Sequence, residues 1–453
     1  MELKKKLMKF GIIAAILICV FVVLIIVIQN INKQDKEHKT NQSREDESKY
    51  EKITKKIATY VVKGEYEAIV NMFSDDLKEK TTLQRFKEEF SNTLFNVGDF
   101  VKYADIYVTE NEDSISSKAF IEFKEKDICV NLFLDTWGNI DGITLDYCTV
   151  PNKTKTYEEH YVSIGKYSLH GLLTLPKKKK NPPVIVFVHD IDNTDMNLSM
   201  YENKPFSSLA HSLAKKGIAS LRYNKRFYQY AKLESNVYTV NESILDDVSS
   251  AIEFVSKDKR VDTNNIYVIG IGLGGSLSPI IAKNNPTIKG IICLAGSPRN
   301  ILDILQSKIL NEIKLSRKSK DAKIKETKLV KEAIAEVKTF KKNTKGYTLG
   351  YSKAFLFSLS QMNIEQTSKE LEIPMLFMQG SLDYQTYAKV DFVKWQQVLN
   401  GKNNCTFKLY DNLNHLFMKS DAKNLSESKI ILTEKGKIDS QVIDDMASWI
   451  KEK

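Results

Sequence analysis

Residues Ile266 to Pro279, IYVIGIGLGGSLSP, have the layout of a site for nucleophilic catalysis: an apolar run of strand type, a glycine-rich turn and a helix-forming continuation. A strand–turn–helix elbow presents a serine hydroxyl when it reads Gly-x-Ser-x-Gly, because the glycines allow the sharp turn and the close approach of helix to strand. Here the frame is Gly270-Ile271-Gly272-Leu273-Gly274, and Gly272 stands where the nucleophile belongs. An elbow holds its central residue in a backbone conformation costing about 1–3 kcal/mol, and a residue without Cβ relieves that strain. Glycine at this point therefore favours the fold while removing the hydroxyl. Ser276 is the alternative nucleophile, but it lies one helical turn further on, about 6 Å along the axis, which directs it into the helix interior.

Two other constellations suggest ligands and fall short. Asp190 to Asn197, DIDNTDMN, is rich in oxygen ligands but lacks the glycine and terminal glutamate of a calcium loop, so turn and capping chemistry is expected. GIGLGG is not the dinucleotide fingerprint, and no cysteine and histidine spacing suits zinc. No metal and no cofactor is expected.

The elements that position these residues follow from length and pattern. A chain of 453 residues implies two or three packed units, and 42% apolar with 27% charged residues is globular composition. Lys and Arg number 67 against 57 Asp and Glu, but the excess is scattered, with no basic stripe interleaved with aromatics. Nucleic acid is not an expected partner. Residues 1–9 form a basic tail, and residues 10–28 an uncharged apolar run long enough to cross a bilayer as a helix. No small-residue cleavage site follows, so a transmembrane anchor is expected, with a cytoplasmic N-terminus and the main domains outside the cell membrane. Residues 29–49 are polar and charged, and read as a stalk.

From 50 to 150 the pattern is helical to about Phe90 and then alternates in KAFIEF, DICVNLFL and IDGITLDY, which predicts a small α+β domain. A two-residue turn at Gly138-Asn139 would pair Val130 with Tyr147, Leu132 with Leu145 and Leu134 with Ile143. That register sets Cys129 opposite Cys148, on a hydrogen-bonded pair whose side chains diverge, so two unpaired thiols are expected. From 157 to 453 strands such as VIVFVH, IASLRY, NIYVIG and IKGIICLAG alternate with helical segments, which specifies a doubly wound, mostly parallel α/β sheet. Lysine-rich, apolar-periodic segments from about 299 to 368 interrupt it as a helical cap.

The segments HGLLTLP, VIVFVH, LRYNKR, YVIGIGLGGSLSPIIA, IPMLFMQGSLDYQ and YDNLNHLF resemble, in order, the bacterial alpha/beta-hydrolase family related to serine aminopeptidases and acyl esterases. The N-terminal unit is similar to the nuclear-transport-factor-2-like domain that often precedes such hydrolases. The resemblance implies carboxylic ester or small-amide hydrolysis by a triad in the order nucleophile, acid, histidine. It assigns the acid to Asp383, in GSLDYQ, and the base to His415, in NLNHLF. The nucleophile position falls on Gly272. The oxyanion region falls on Asp190, Ile191 and Leu273, where the family has roughly His-Gly-Ser-Gly and this chain His189-Asp190-Ile191-Asp192. A carboxylate at Asp190 would oppose the developing negative charge if it pointed inward. The family's Tyr-Asp-Lys-Arg-Gly is here Tyr223-Asn224-Lys225-Arg226-Phe227. The expectation is a membrane-anchored pseudoenzyme that binds a small acyl or peptide-like ligand; the alternative is an active hydrolase using His415 with Ser276. Oligomeric state is not encoded in any motif.

Overall fold

The computed structural model describes residues 48–110 and 115–453. The expected anchor at 10–28 and almost all of the stalk lie outside the described residues. Among those described, no helix is long and apolar enough to cross a membrane. The stalk's expected end at 49 falls inside the first described helix, Lys49–Lys63. Ser48 caps that helix, its Oγ accepting from Glu51 N while the Glu51 carboxylate accepts from Ser48 N.

In the small unit, four helices between Lys49 and Leu94 cover one face of an antiparallel sheet of β1 (Phe100–Glu110), β2 (Ile115–Phe123), β3 (Ile128–Leu134) and β4 (Ile140–Tyr147). Ile57, Val61, Ile69, Phe73, Phe86 and Phe90 bury their apolar surface against Ile121, Val130 and Leu132. Strand β1 was not among the three expected: it is a sheet edge, and register shifts at Phe100/Lys102 and Tyr103/Asp105 break its alternation.

The β3–β4 register also differs from expectation. Val130 pairs with Leu145, Leu132 with Ile143 and Cys129 with Asp146. The turn is wider because the Asp135 carboxylate organises it, accepting from Gly138 N at 2.7 Å and Asn139 N at 2.8 Å. A slip of two residues leaves every side chain on its original face, so matching apolar faces cannot detect it. Cys129 is consequently diagonal to Cys148, and both are free thiols.

The large unit is an eight-stranded sheet in the order β14-β13-β10-β9-β7-β8-β6-β5. Its strands are β5 (Tyr157–Ile164), β6 (Leu169–Pro176), β7 (Val184–Val188), β8 (Ala219–Tyr223), β9 (Ile266–Ile271), β10 (Ile288–Leu294), β13 (Met375–Gly380) and β14 (Cys405–Tyr410). Only the β5–β6 and β6–β8 pairings are antiparallel. Strand β7 shows why a continuous apolar run is required. Val184, Val186 and Val188 pack with Val248, Ile252 and Leu277 on one face, while Ile185 and Phe187 pack with Phe206, Leu209 and Leu213 on the other. Between β10 and β13 lie helices Ile301–Leu315, Lys320–Val337, Lys353–Ser360 and Ile364–Glu370 and a short hairpin, β11 (Tyr347–Thr348) with β12 (Tyr351–Ser352).

The two units are joined tightly. The linker runs along the outer edge of β5, with Glu159 N donating to Asn152 O and Thr154 N to Tyr157 O. Lys118 of β2 stands over the Tyr161 ring and donates to His170 Nε2 at 3.1 Å. Burial, and then the charge of Lys118, hold His170 down to about 3, so it is neutral and accepts that hydrogen bond.

A buried charge cluster ties the antiparallel end together. Glu159 Oε1 accepts from Arg222 Nη1 at 2.7 Å and from Thr174 Oγ1 at 3.1 Å, and lies 2.7 Å from His211 Nε2. Burial alone would raise the Glu159 carboxyl, but Arg222 and His211 hold it down to about 2. A depressed carboxyl stabilises the fold above its ordinary value near 4.5, and that contribution is lost as pH falls towards 2. Glu159→Gln leaves Arg222 buried without its counter-charge and is expected to cost about 3–5 kcal/mol, read from denaturant midpoints at pH 7. The gap between variant and wild type should narrow below pH 4.5.

Candidate active site

Strand β9 ends at Ile271, and the helix Leu273–Asn284 begins two residues later. Gly272 between them has φ 56° and ψ −117°, so the elbow's strained turn is kept although its serine is not. Gly274 lets the helix cross against the end of β7, where an added Cβ would overlap the His189 and Val188 carbonyls. Gly272 N donates to Leu294 O at 3.0 Å, which fixes the turn to the end of β10.

Asp190, two residues beyond β7, points inward. Its Oδ1 accepts from Leu273 N at 2.7 Å and from Ile191 N at 2.8 Å. Leu273 N is the amide that follows the nucleophile position, and Ile191 N comes from the loop after β7. These are the two donors expected to bind the oxyanion of an acyl substrate. The Asp190 carboxylate also takes the space of the missing hydroxyl: a Cβ on Gly272 would overlap the carboxylate carbon and Oδ1, and would stand 2.6 Å from Oδ2. The two departures from the family pattern are thus one steric unit, in which glycine vacates the volume that aspartate fills.

The aspartate loop is held from below. Lys225 Nζ donates to the carbonyls of Asp190, Ile191 and Asp192 at 3.2, 3.1 and 3.0 Å. Burial pushes this ammonium down to about 8, while Asp190 and Asp192 favour its charged form. Burial, aided by Lys225, also pushes His189 down to about 3. Neutral His189 therefore donates from Nε2 to Tyr223 O at 2.6 Å and accepts at Nδ1 from Thr194 Oγ1 at 3.0 Å. Asn224 Oδ1 accepts from Met196 N at 2.8 Å, and Arg226 forms a buried pair with Asp247 through Nε at 3.0 Å. The altered segment after β8 is the scaffold of the Asp190 loop, a role visible in the sequence only as a departure from pattern.

The structure places Asp383 and His415 side by side. Asp383, beyond β13, has Oδ2 2.8 Å from His415 Nδ1 and 2.7 Å from Gln379 Nε2, while Oδ1 accepts from Gln385 N and Thr386 N. His415 follows β14 in a loop shaped by Asn414, whose Oδ1 accepts from Leu416 N and Met418 N. His415 Nε2 is buried, has no hydrogen-bond partner among the described residues, and lies 3.7 Å from Asp190 Oδ2. That separation is too long for a hydrogen bond but close enough for a strong ionic contact.

The charges decide what the site can do. Burial would lower His415, but Asp383 and Asp190 outweigh it and raise the imidazole to about 10. Burial would raise Asp190, yet His415 and the Leu273 N–H bring it down to about 2. At neutral pH the site is an imidazolium between two carboxylates, so His415 has no lone pair with which to accept a proton.

Ser276 does not replace the missing hydroxyl. Its Oγ is buried, donates to Gly272 O at 3.0 Å and accepts from Ser297 N at 2.8 Å. The DIDNTDMN segment is a turn, with Asp195 accepting from Ser199 N, Ser199 Oγ and Asn197 N.

Gly272→Ser is expected to lower the melting temperature, because the serine adds strain of about 1–3 kcal/mol and meets the Asp190 carboxylate. Adding Asp190→Gly should recover most of the overlap component, a coupling that a double-mutant cycle of unfolding free energies measures. A second expectation concerns pH. A raised imidazole stabilises the fold fully below its ordinary value near 6.5, and that stability is lost as pH climbs towards 10. His415 should titrate near 10 by NMR, and Asp190→Asn should move its midpoint down.

Residues 202–421 match the family model described as serine aminopeptidase, S33, and residues 54–143 match a family of proteins of unknown function, DUF3887. Over 394 residues the chain is 26% identical to Esterase EstD of Thermotoga maritima, spanning 85% of this chain and 91% of that protein. A stretch of 70 residues, 16% of this chain and 23% of the relative, is 31% identical to the alpha/beta hydrolase domain-containing protein WAV2 of Arabidopsis thaliana. Est1E from Butyrivibrio proteoclasticus, a solved structure, superposes at a TM-score of 0.42 with 14% identity, over 65% of this chain and 99% of that one. With an elbow after β9, an acid after β13 and a histidine after β14, residues 202–421 are similar to this alpha/beta-hydrolase family, and an esterase is among the chain's homologues.

Proposed function

We propose that this protein is a membrane-anchored, hydrolase-fold binding or regulatory protein in which serine-type ester hydrolysis is switched off. The observation that carries the reading is the Asp190 carboxylate, which accepts both Leu273 N and Ile191 N and fills the volume of a side chain at Gly272. A carbonyl substrate would have to displace an anion from those donors before its own oxygen could use them. With no hydroxyl at the elbow and a protonated His415, neither half of an acyl-transfer step is available. The name of the relative EstD indicates ester hydrolysis for that protein; carried to this chain, it gives the class of ligand the cleft would hold, a small acyl or peptide-like molecule.

The apolar run at 10–28 and the basic residues before it favour attachment to the cell membrane with both folded units outside. The small unit, compared above with nuclear-transport-factor-2-like domains, then sits between membrane and hydrolase unit in chain order.

The test is direct. Detergent-solubilised full chain should take up no fluorophosphonate probe and should leave short-chain aryl esters intact. Labelling that His415→Ala abolishes would overturn the reading. The Asp190→Gly, Gly272→Ser double variant restores the hydroxyl and frees both amides, and is expected to gain labelling that neither single variant shows.

A further inference from the structure

The helix Lys49–Lys63 has two unlike faces. Ile57, Ala58 and Val61 are buried against the small sheet. Lys49, Lys52, Lys56 and Lys63 are all exposed, and at 3.6 residues per turn they fall within about 60° of one another around the axis. Glu51 is the one acidic residue of this helix, and its carboxylate is already taken by the cap at Ser48 N. The β3–β4 turn extends the same surface. Lys49 Nζ and Tyr50 Oη both donate to Thr136 O, at 3.2 and 3.1 Å, which sets the hairpin tip beside the start of the helix. Trp137 at that tip is 78% exposed, although folding normally covers most of an indole. The Asp135 carboxylate holds the tip in one shape through Gly138 N and Asn139 N, so the ring is presented to solvent on a fixed turn.

An indole beside a row of ammonium groups suits a lipid surface: the ring settles among the headgroups while the lysines meet anionic ones. The course of the chain names the same occupant. Residues 29–47 lead back from Ser48 to the apolar run at 10–28, so the helix start and the Trp137 tip are where a chain coming from a membrane anchor reaches the folded molecule. We infer that the lysine face of the helix Lys49–Lys63, with Trp137 at its entry end, docks on the anionic lipid headgroups of the membrane to which the chain is attached. This rests on the membrane attachment proposed above and adds the surface that meets the bilayer. A tethered face needs little affinity of its own, because the tether replaces free diffusion by an effective concentration of order millimolar. Each lysine close to an anionic surface favours the docked state about fivefold, so four together give roughly several hundredfold, and salt screens the effect.

The molecule carries its own probe. Of its three tryptophans, Trp395 and Trp449 are buried, at 1% and 5% exposure, which leaves Trp137 as the one open to a quencher. The full chain is reconstituted by detergent removal into vesicles of mixed phosphatidylcholine and phosphatidylglycerol, with acyl chains either plain or brominated close to the headgroup. Bromination should remove part of the tryptophan emission, and Trp137→Phe should abolish that loss. The loss should also shrink in molar salt and in the Lys52→Gln, Lys56→Gln double variant, whose substitutions are both on the exposed side of the helix. Flotation of the chain with the vesicles reads attachment separately. Chain that floats but keeps its full emission, or is quenched equally in pure phosphatidylcholine, overturns the docking and leaves the attachment standing; chain that does not float overturns both.

Discussion

One carboxylate organises the centre of this molecule. Asp190 Oδ1 accepts two backbone N–H groups from two different loops, and Oδ2 supplies the negative charge opposite His415. Each contact restricts something else. The amides fix the loop after β7 to the start of the elbow helix, the volume of the carboxylate forbids any side chain at Gly272, and its charge keeps the imidazole protonated. Gly272 at the elbow and Asp190 after β7 are therefore one steric arrangement shared by two strand ends.

Burying so much charge requires compensation, and it comes from the neighbouring strand ends. Asp383 neutralises His415 from the far side and is itself saturated by Gln379, Gln385 N and Thr386 N. Lys225 brings its ammonium beneath the loop and donates to three of its carbonyls. The arrangement uses the strand ends of an open α/β sheet, where loops from β7, β8, β9, β13 and β14 converge. Removing any one member strands a charge on another.

The fold class and the order of the site residues were legible because they rest on one-dimensional signals. Alternating strands and helices, the glycine frame at Gly270–Gly274, and an acid and a histidine each past a strand all lie in the chain order. The direction of the Asp190 side chain was not, since it depends on two amides brought together only by the sheet. The part played by Lys225 escaped for the same reason: three convergent carbonyls have no sequence signature. The β3–β4 register escaped for a different one, because the Asp135 turn and the irregularity between Phe133 and Leu134 together shift the pairing by two residues, and a slip of two is invisible to apolar alternation. Strand β1 was missed where edge irregularities interrupt the period.

The segment between the two units has a consequence for how the chain can be divided. Asn152 and Thr154 hydrogen-bond along β5, so what looks in sequence like a tether behaves as a selvedge on the eight-stranded sheet. Cutting there would bare the backbone of the outermost strand to any other extended peptide, and would leave Lys118 and Tyr161 without their partners across the seam. A cut placed before Asn152 would keep that border on the hydrolase unit, whereas one placed after Thr154 would strip it away.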